Sequence, residues 1–203
     1  MNILKVRTGE LAVNTYILYN QNKNAVIIDC GVDFERVFSL LNEKGLKPLA
    51  VLLTHAHFDH SLTAKNFQNL GAKICVSKND ALKLERGDTL GVYFNIKEPC
   101  VKVDVIVKDE DELDFGDIRL KVISTPGHTD GSVCFLVEDC LFSGDTLFCL
   151  SIGRTDFPTG SFLDMKNSLK RLSRLEKNLK IYPGHGEETS LGFEIENNPY
   201  MNL

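Results

Sequence analysis

The sequence predicts an α/β (α+β) protein in which mixed β-sheet is covered by helices on its outer faces. Short apolar runs alternate with amphipathic stretches over the first 85 residues, strands dominate from Val101 onward, and one amphipathic helix returns at 161–175.

Residues 14–18 and 26–29 read as strands, the first after a Gly9-Glu10 turn signal and the second after the polar tract 20–24. Residues 33–44 read as a helix, with Phe34, Val37, Phe38 and Leu41 on one stripe and Gly45 as the stop. The apolar run 49–53 has the character of a strand buried on both faces. A second cycle follows: a helix at 62–70, a strand at 73–76 and a helix at 79–85. Runs at 101–107, 118–124, 133–137 and 141–143 are separated by turn signals and read as strands. In 161–175, Phe162, Met165, Leu169 and Leu172 line one helical face, leaving Lys166, Lys170, Arg171 and Arg174 for solvent. A last strand at 180–182 leads into a glycine-rich loop and a short tail.

A chain of 203 residues suits one domain, 1–203. It buries roughly 70% of the surface it exposes when unfolded, enough to fold without disulfides. The 43% hydrophobic and 25% charged content is that of a soluble globular protein. A net charge of −5 argues against a generic nucleic-acid binder, which would want a basic face. No apolar stretch approaches the length of a membrane span. The N-terminus is strand-like and lacks a signal-peptide core, so a cytoplasmic location is expected. The six cysteines form no Cys-x-x-Cys pair and sit mostly in apolar runs, which reads as reduced, buried thiols.

Only five histidines are present. Three fall within Thr54-His55-Ala56-His57-Phe58-Asp59-His60, directly after the buried strand; the other two close the tripeptides Pro126-Gly127-His128 and Pro183-Gly184-His185. Proline fixes φ and glycine permits φ > 0, so each Pro-Gly makes a sharp turn that aims the next side chain. At an extended strand end His55 and His57 point to the same side and can grip one ion, while Asp59 and His60 face a second position. Imidazole and carboxylate without thiolate suit zinc, iron or manganese. Accidental clustering of surface histidines is the competing reading, and the spacing argues against it. Asp145, after Leu141-Phe142-Ser143-Gly144, and Asp29, after Val26-Ile27-Ile28, end strands where a carboxylate serves equally as a site residue or a turn residue.

These segments, with Thr125-Pro126-Gly127-His128 and Gly144-Asp145, resemble the metallo-β-lactamase superfamily over nearly the whole chain. The stretches Gly144-Asp145-Thr146-Leu147-Phe148 and Gly153-Arg154-Thr155-Asp156-Phe157-Pro158 are similar to its short glyoxalase II-like (hydroxyacylglutathione hydrolase-like) branch and to the persulfide dioxygenases. The resemblance implies a four-layer αββα sandwich of two mixed sheets with outer helices. It implies two divalent metal ions, zinc first, with iron or manganese accepted by the same ligands. His55, His57 and His128 would bind one ion, Asp59, His60 and His185 the other, and Asp145 would bridge them beside a water or hydroxide. Asp59 and Asp145 are thereby the carboxylates at the catalytic centre, and Asp29 would orient ligands from beneath the metal loop. Five neutral imidazoles, two carboxylates, two divalent ions and a bridging hydroxide leave a charge of about +1, suited to an electron-rich carbonyl.

The implied activity is hydrolysis of a small-molecule thioester or ester by a metal-bridging hydroxide. A mononuclear iron persulfide dioxygenase and a non-catalytic metal-binding protein are the alternatives. Aspartate at 145, where a cysteine would favour a true β-lactamase, argues against that activity, and histidine at 57 argues against a flavodiiron site. The chain runs eighteen residues past His185, too few for the helical extension with which glyoxalase II holds glutathione, so a dedicated glutathione site is not expected. Arg154 reads either as an attractor for an anionic substrate or as an ion-pair partner for Asp156. Asp130 stands where many hydrolases of this branch have proline and persulfide dioxygenases have aspartate.

Overall fold

The computed structural model describes residues 1–201. One sheet runs in spatial order β1 (Asn2–Thr8), β2 (Val13–Tyr19), β3 (Asn24–Ile28), β4 (Lys47–Leu52), β5 (Lys73–Ser77) and β6 (Val105–Val107). Its first two pairings are antiparallel and the rest parallel. The second sheet is built from β7 (Glu112–Phe115), β8 (Ile118–Ser124), β9 (Val133–Val137), β10 (Cys140–Gly144), β13 (Lys180–Pro183) and β14 (Thr189–Ser190), with β10 and β13 parallel. A hairpin of β11 (Leu147–Phe148) and β12 (Ser151–Ile152) stands apart from both.

Period-2 alternation sorts the core into three clusters. Ile17, Ile27, Val51 and Ile74 face outward from the first sheet, against α1 (Phe34–Lys44), α3 (Ala64–Asn69) and α4 (Lys78–Arg86), which contribute Val37, Leu41, Phe67 and Leu84. Their neighbours Tyr16, Leu18, Val26, Ile28 and Leu52 face the other way and meet Val122, Phe135 and Phe142 between the sheets. Ile123, Cys134, Leu141 and Ile181 cover the far face with Met165, Leu169 and Leu172 of α5 (Phe162–Leu172) and Leu191 of α6 (Leu191–Asn197). The result is helix, sheet, sheet, helix: the four-layer sandwich expected. All six cysteines are free, four of them buried. Among the described residues no helix is long and apolar enough to cross a membrane.

Local departures have local causes. The helix expected at 62–70 is α3 alone, and a separate turn of helix, α2 (Phe58–Ser61), precedes it, because the Thr63 N–H and hydroxyl both turn to the Cys30 carbonyl, at 3.2 and 3.1 Å. The run 101–107 forms ladder only from Val105. Before it, Asp104 pairs with Ile74 by its own N–H to the Ile74 carbonyl, at 2.9 Å, but takes the Ile74 N–H with its carboxylate, also at 2.9 Å. The tail contains α6, capped by Ser190, whose buried Glu194 accepts from Leu150 N, Thr189 Oγ1 and Asn198 Nδ2 and so ties the hairpin down.

Candidate metal centre

All seven expected ligand residues lie where strand ends of both sheets meet. His55, His57, Asp59 and His60 follow β4; His128 sits in the β8–β9 turn, Asp145 after β10 and His185 after β13. One donor atom each from His55, His57 and His128 lie within 4.8 Å of one another, and the same holds for Asp59, His60 and His185 and for His55, His60 and Asp145. His57 Nδ1 is 2.8 Å from His128 Nε2, and His60 Nε2 is 3.2 Å from His185 Nε2. Asp145 lies between the halves: Oδ1 is 3.4 Å from His60 Nε2, and Oδ2 is 3.5 Å from His128 Nε2 and 3.6 Å from His185 Nε2.

The outward ring nitrogens are tied to the scaffold, which fixes which nitrogen faces inward. His128 Nδ1 donates to the Arg154 carbonyl at 2.7 Å, His185 Nδ1 to the Leu11 carbonyl at 2.9 Å and His60 Nδ1 to Asp29 Oδ2 at 2.8 Å. The Thr54 hydroxyl donates to the same Asp29 oxygen, leaving its own oxygen to accept from His55 Nδ1 at 3.1 Å. That assignment presents the Nε2 lone pair of His55 inward. His55 Nε2 and Asp145 Oδ1 are both buried and have no hydrogen-bond partner among the described residues. Orphaned acceptors of this kind cost about 1–3 kcal/mol each unless something electropositive lies between them. A nitrogen and oxygen donor set with two orphaned acceptors fits divalent cations of the zinc, iron and manganese group.

The electrostatics agree. Burial, reinforced by the His128 ring, pushes His57 down to about 2, and burial with four neighbouring imidazoles pushes His55 well down, so both are neutral and ligand-ready. Burial would also lower His60, but the carboxylates of Asp145, Asp59 and Asp29 outweigh it and raise His60 to about 10. His185 is raised against its burial by Asp59 and Asp145, and Asp59 is held below the usual carboxylate range against its burial by His60 and His185. This half of the cluster therefore draws in positive charge.

One of the two Pro-Gly glycines acts differently from expectation. Gly127 does adopt φ +148, but Gly184 has no positive φ. Gly184 is needed for close approach, since a Cβ there would run into Asp145 Oδ1 and the His60 ring. The sequence reading also missed Asp80. Fully buried at the start of α4, it accepts from Ala56 N at 2.9 Å, between two of the histidines, and from Thr129 Oγ1 at 3.1 Å, beside a third. Lys83 Nζ completes it at 2.7 Å and reaches Asp130 Oδ1 at 2.8 Å. Only the Asp80–Lys83 spacing on an expected helix hinted at this; no local pattern shows what a helix-terminal carboxylate will meet.

The centre opens into a cleft of about 350 Å³ whose apolar wall includes Leu90, Phe94, Phe148 and Phe157. Arg154 borders it, but its guanidinium forks onto Asp156 with two 2.7 Å hydrogen bonds and lies 3.8 Å over the Phe157 ring. Of its two readings, the structure shows the ion pair.

Known proteins share this frame. Hydroxyacylglutathione hydrolase GloC of Haemophilus influenzae is 30% identical, the match covering 100% of this chain and 99% of that one. Among solved structures, BLEG-1 B3 metallo-beta-lactamase superposes with a TM-score of 0.93 at 32% identity over all of both chains. TTHA1623, solved in a di-iron-bound form, gives 0.87 at 34%, covering 97% of this chain and 99% of its own. ETHE1 from Myxococcus xanthus gives 0.83 at 29%, covering 98% and 84%. The family model described as metallo-beta-lactamase superfamily matches residues 8–185, from the end of β1 to the last histidine of the cluster. A sandwich of two sheets with its histidines and carboxylates gathered at one edge, matched from end to end by that model, makes this chain a member of the metallo-beta-lactamase superfamily.

Proposed function

We propose that the chain is a dinuclear metal-dependent hydrolase that cleaves thioesters, in the manner of the glyoxalase II-like branch. His55, His57 and His128 would hold one divalent ion, Asp59, His60 and His185 the other, with Asp145 shared between them. Such ions, when bound, supply Lewis acidity and a water of lowered pKa.

The choice of thioester rests on the cleft wall. Its titratable side chains are His57, Asp59, His128, Asp145 and His185, all in the proposed ligand set, and Arg154, which is committed to Asp156. No side chain there is left to protonate a leaving group. A thiolate, with a pKa near 8.5, departs without that help, whereas an alkoxide or amide anion does not. The protein's own contribution is positional: Asp29, Thr54 and the Arg154 and Leu11 carbonyls fix the rings, and the apolar wall limits water around the acyl group. The likeness to GloC supports this reading. A mononuclear iron dioxygenase is the rival, and because both classes can carry all seven ligands, the number of ions held and the substrate acted on separate the two.

The test is metal content and turnover on the same sample. Two ions per chain and hydrolysis of small thioesters are expected, with negligible oxygen uptake on glutathione persulfide and little action on a chromogenic cephalosporin. His185→Ala should lower the stoichiometry and slow thioester hydrolysis by orders of magnitude. One iron per chain, oxygen consumption with persulfide and indifference to thioesters would overturn the proposal.

A further inference from the structure

A second hollow, of about 250 Å³, opens beside the cleft, between the β1–β2 turn and the segment that carries the 3₁₀ turn Gly91–Phe94. Its apolar walls are Leu11, Val13, Val32, Phe58, Phe94 and Ile96, and it shares Leu11, Phe58, Asp59 and Phe94 with the cleft. Leu11, Val32 and Phe94 are 44%, 38% and 47% exposed, so three large apolar side chains converge on this depression while still facing solvent. The shape is set by packing. Phe58 is tied through its N–H to the Thr89 carbonyl at 2.9 Å, and its ring lies 4.8 Å from that of Phe94. On the opposite side Gly9, at φ +68, lets the turn approach Val32 so closely that a Cβ would strike its Cγ2.

The charges at this hollow have one sign. Among the described residues its ionisable side chains are Glu10 and Asp59 and no lysine or arginine lines it; Arg154 of the cleft forms an ion pair with Asp156. Within the hollow an anionic substituent meets no cationic side chain, while an uncharged apolar chain can replace water against six apolar side chains.

Resting on the thioester hydrolase reading, we propose that this hollow is an acyl-chain subsite, and that the substrate carries an apolar acyl chain of several carbons running from the metal centre past Phe58 toward Val32. Chain length then sets specificity: each buried methylene contributes a factor of about four in kcat/KM until the hollow is filled.

The experiment uses the metal-loaded protein and a series of N-acetylcysteamine thioesters from acetyl to decanoyl. In parallel, calorimetry measures binding of the matching alkyl thioethers, which cannot be hydrolysed. Both series should rise with chain length and then level off. Val32→Asp should flatten both slopes, and Val32→Phe, which fills the hollow, should move the plateau to shorter chains. Leu163→Ser, at a 69% exposed apolar residue of α5, should alter neither slope. Hydrolysis without a length dependence, or a slope that Val32→Asp and Val32→Phe leave intact, would overturn the subsite. Loss of hydrolysis at every length, with the thioether slope and its Val32 dependence retained, would instead sink the hydrolase reading and leave an apolar-chain site standing.

Discussion

Asp29 accepts three hydrogen bonds, from the Thr54 N–H and hydroxyl and from His60 Nδ1, each at 2.8 Å. It does so at φ +55, a conformation aspartate tolerates better than most residues and one that turns its carboxylate beneath the histidine segment. Asp80 does the corresponding work on the other side, holding Ala56 N and Thr129 Oγ1. The two carboxylates thus clamp the same segment without belonging to the cluster of donors. Asp80→Ala should be costly on two counts. It leaves Ala56 N unpaired and strips Lys83 of a partner, a loss of about 3 kcal/mol of stability by the standard of broken buried ion pairs. It also frees the His57 and His128 backbones, which should weaken metal affinity about 10–100-fold. Chelator competition on Asp80→Ala and on the isosteric Asp80→Asn separates these effects. Affinity unchanged in both variants would reduce Asp80 to a structural role.

The elements carry the site because their ends, not their middles, are specialised. The tripeptide Pro183-Gly184-His185 at the end of β13 shows this most clearly. The Asn14 N–H and side chain and the Tyr16 hydroxyl of β2 reach across to Gly184, Pro183 and Gly186, so the His185 loop is strapped to the opposite sheet. Gly184→Ala inserts a methyl against Asp145 and His60; about 1–3 kcal/mol of overpacking is expected, together with at least a tenfold loss of metal affinity. Thermal melts with and without chelator read both, and a melt lowered equally in the two conditions would show a packing effect alone. The histidine pattern and the apolar runs were legible in the sequence because each is local: ligand spacing follows the strand end, and burial follows period 2. What could not be read was decided by distant partners. Residues 101–104 look like strand but are claimed by Leu84 and Ile74. The residues of α6 look like a tail but are recruited by the hairpin through Glu194. Gly184 reads as a turn residue but is shaped by Asp145.

At the scale of the whole molecule, two sheets meet at an edge where seven donor side chains converge, so the folded state without metal must hold positive charge there or bear the repulsion of its carboxylates. Protons can supply it. His60, with Nδ1 committed to Asp29, has only Nε2 left to face Asp145 and Asp59, and a proton there stands where a cation would. Its folded value of about 10 lies above the ordinary 6.5, and His185 is raised in the same direction. A raised value means that the stabilisation is fully present below pH 6.5 and is lost as pH rises toward 10. His55 and His57 shift the other way, so their effect falls below pH 6.5, and the thiols of Cys30, Cys75, Cys134 and Cys140, raised by burial above their ordinary 9, add a loss only as pH passes 9, which leaves the window from 6.5 to 9 to His60 and His185. Metal-free protein should therefore lose a few kcal/mol between pH 6.5 and 10, about 5–10 °C in Tm. Metal-loaded protein, whose ligands are deprotonated throughout, should be more stable and show little of that slope. His60→Gln, which removes the proton-holding nitrogen, should reduce the metal-free slope between pH 6.5 and 9, leaving the part that His185 carries. A metal-free profile flat from 6.5 to 10 in the unaltered protein would mean that the edge between the sheets does not seek a cation.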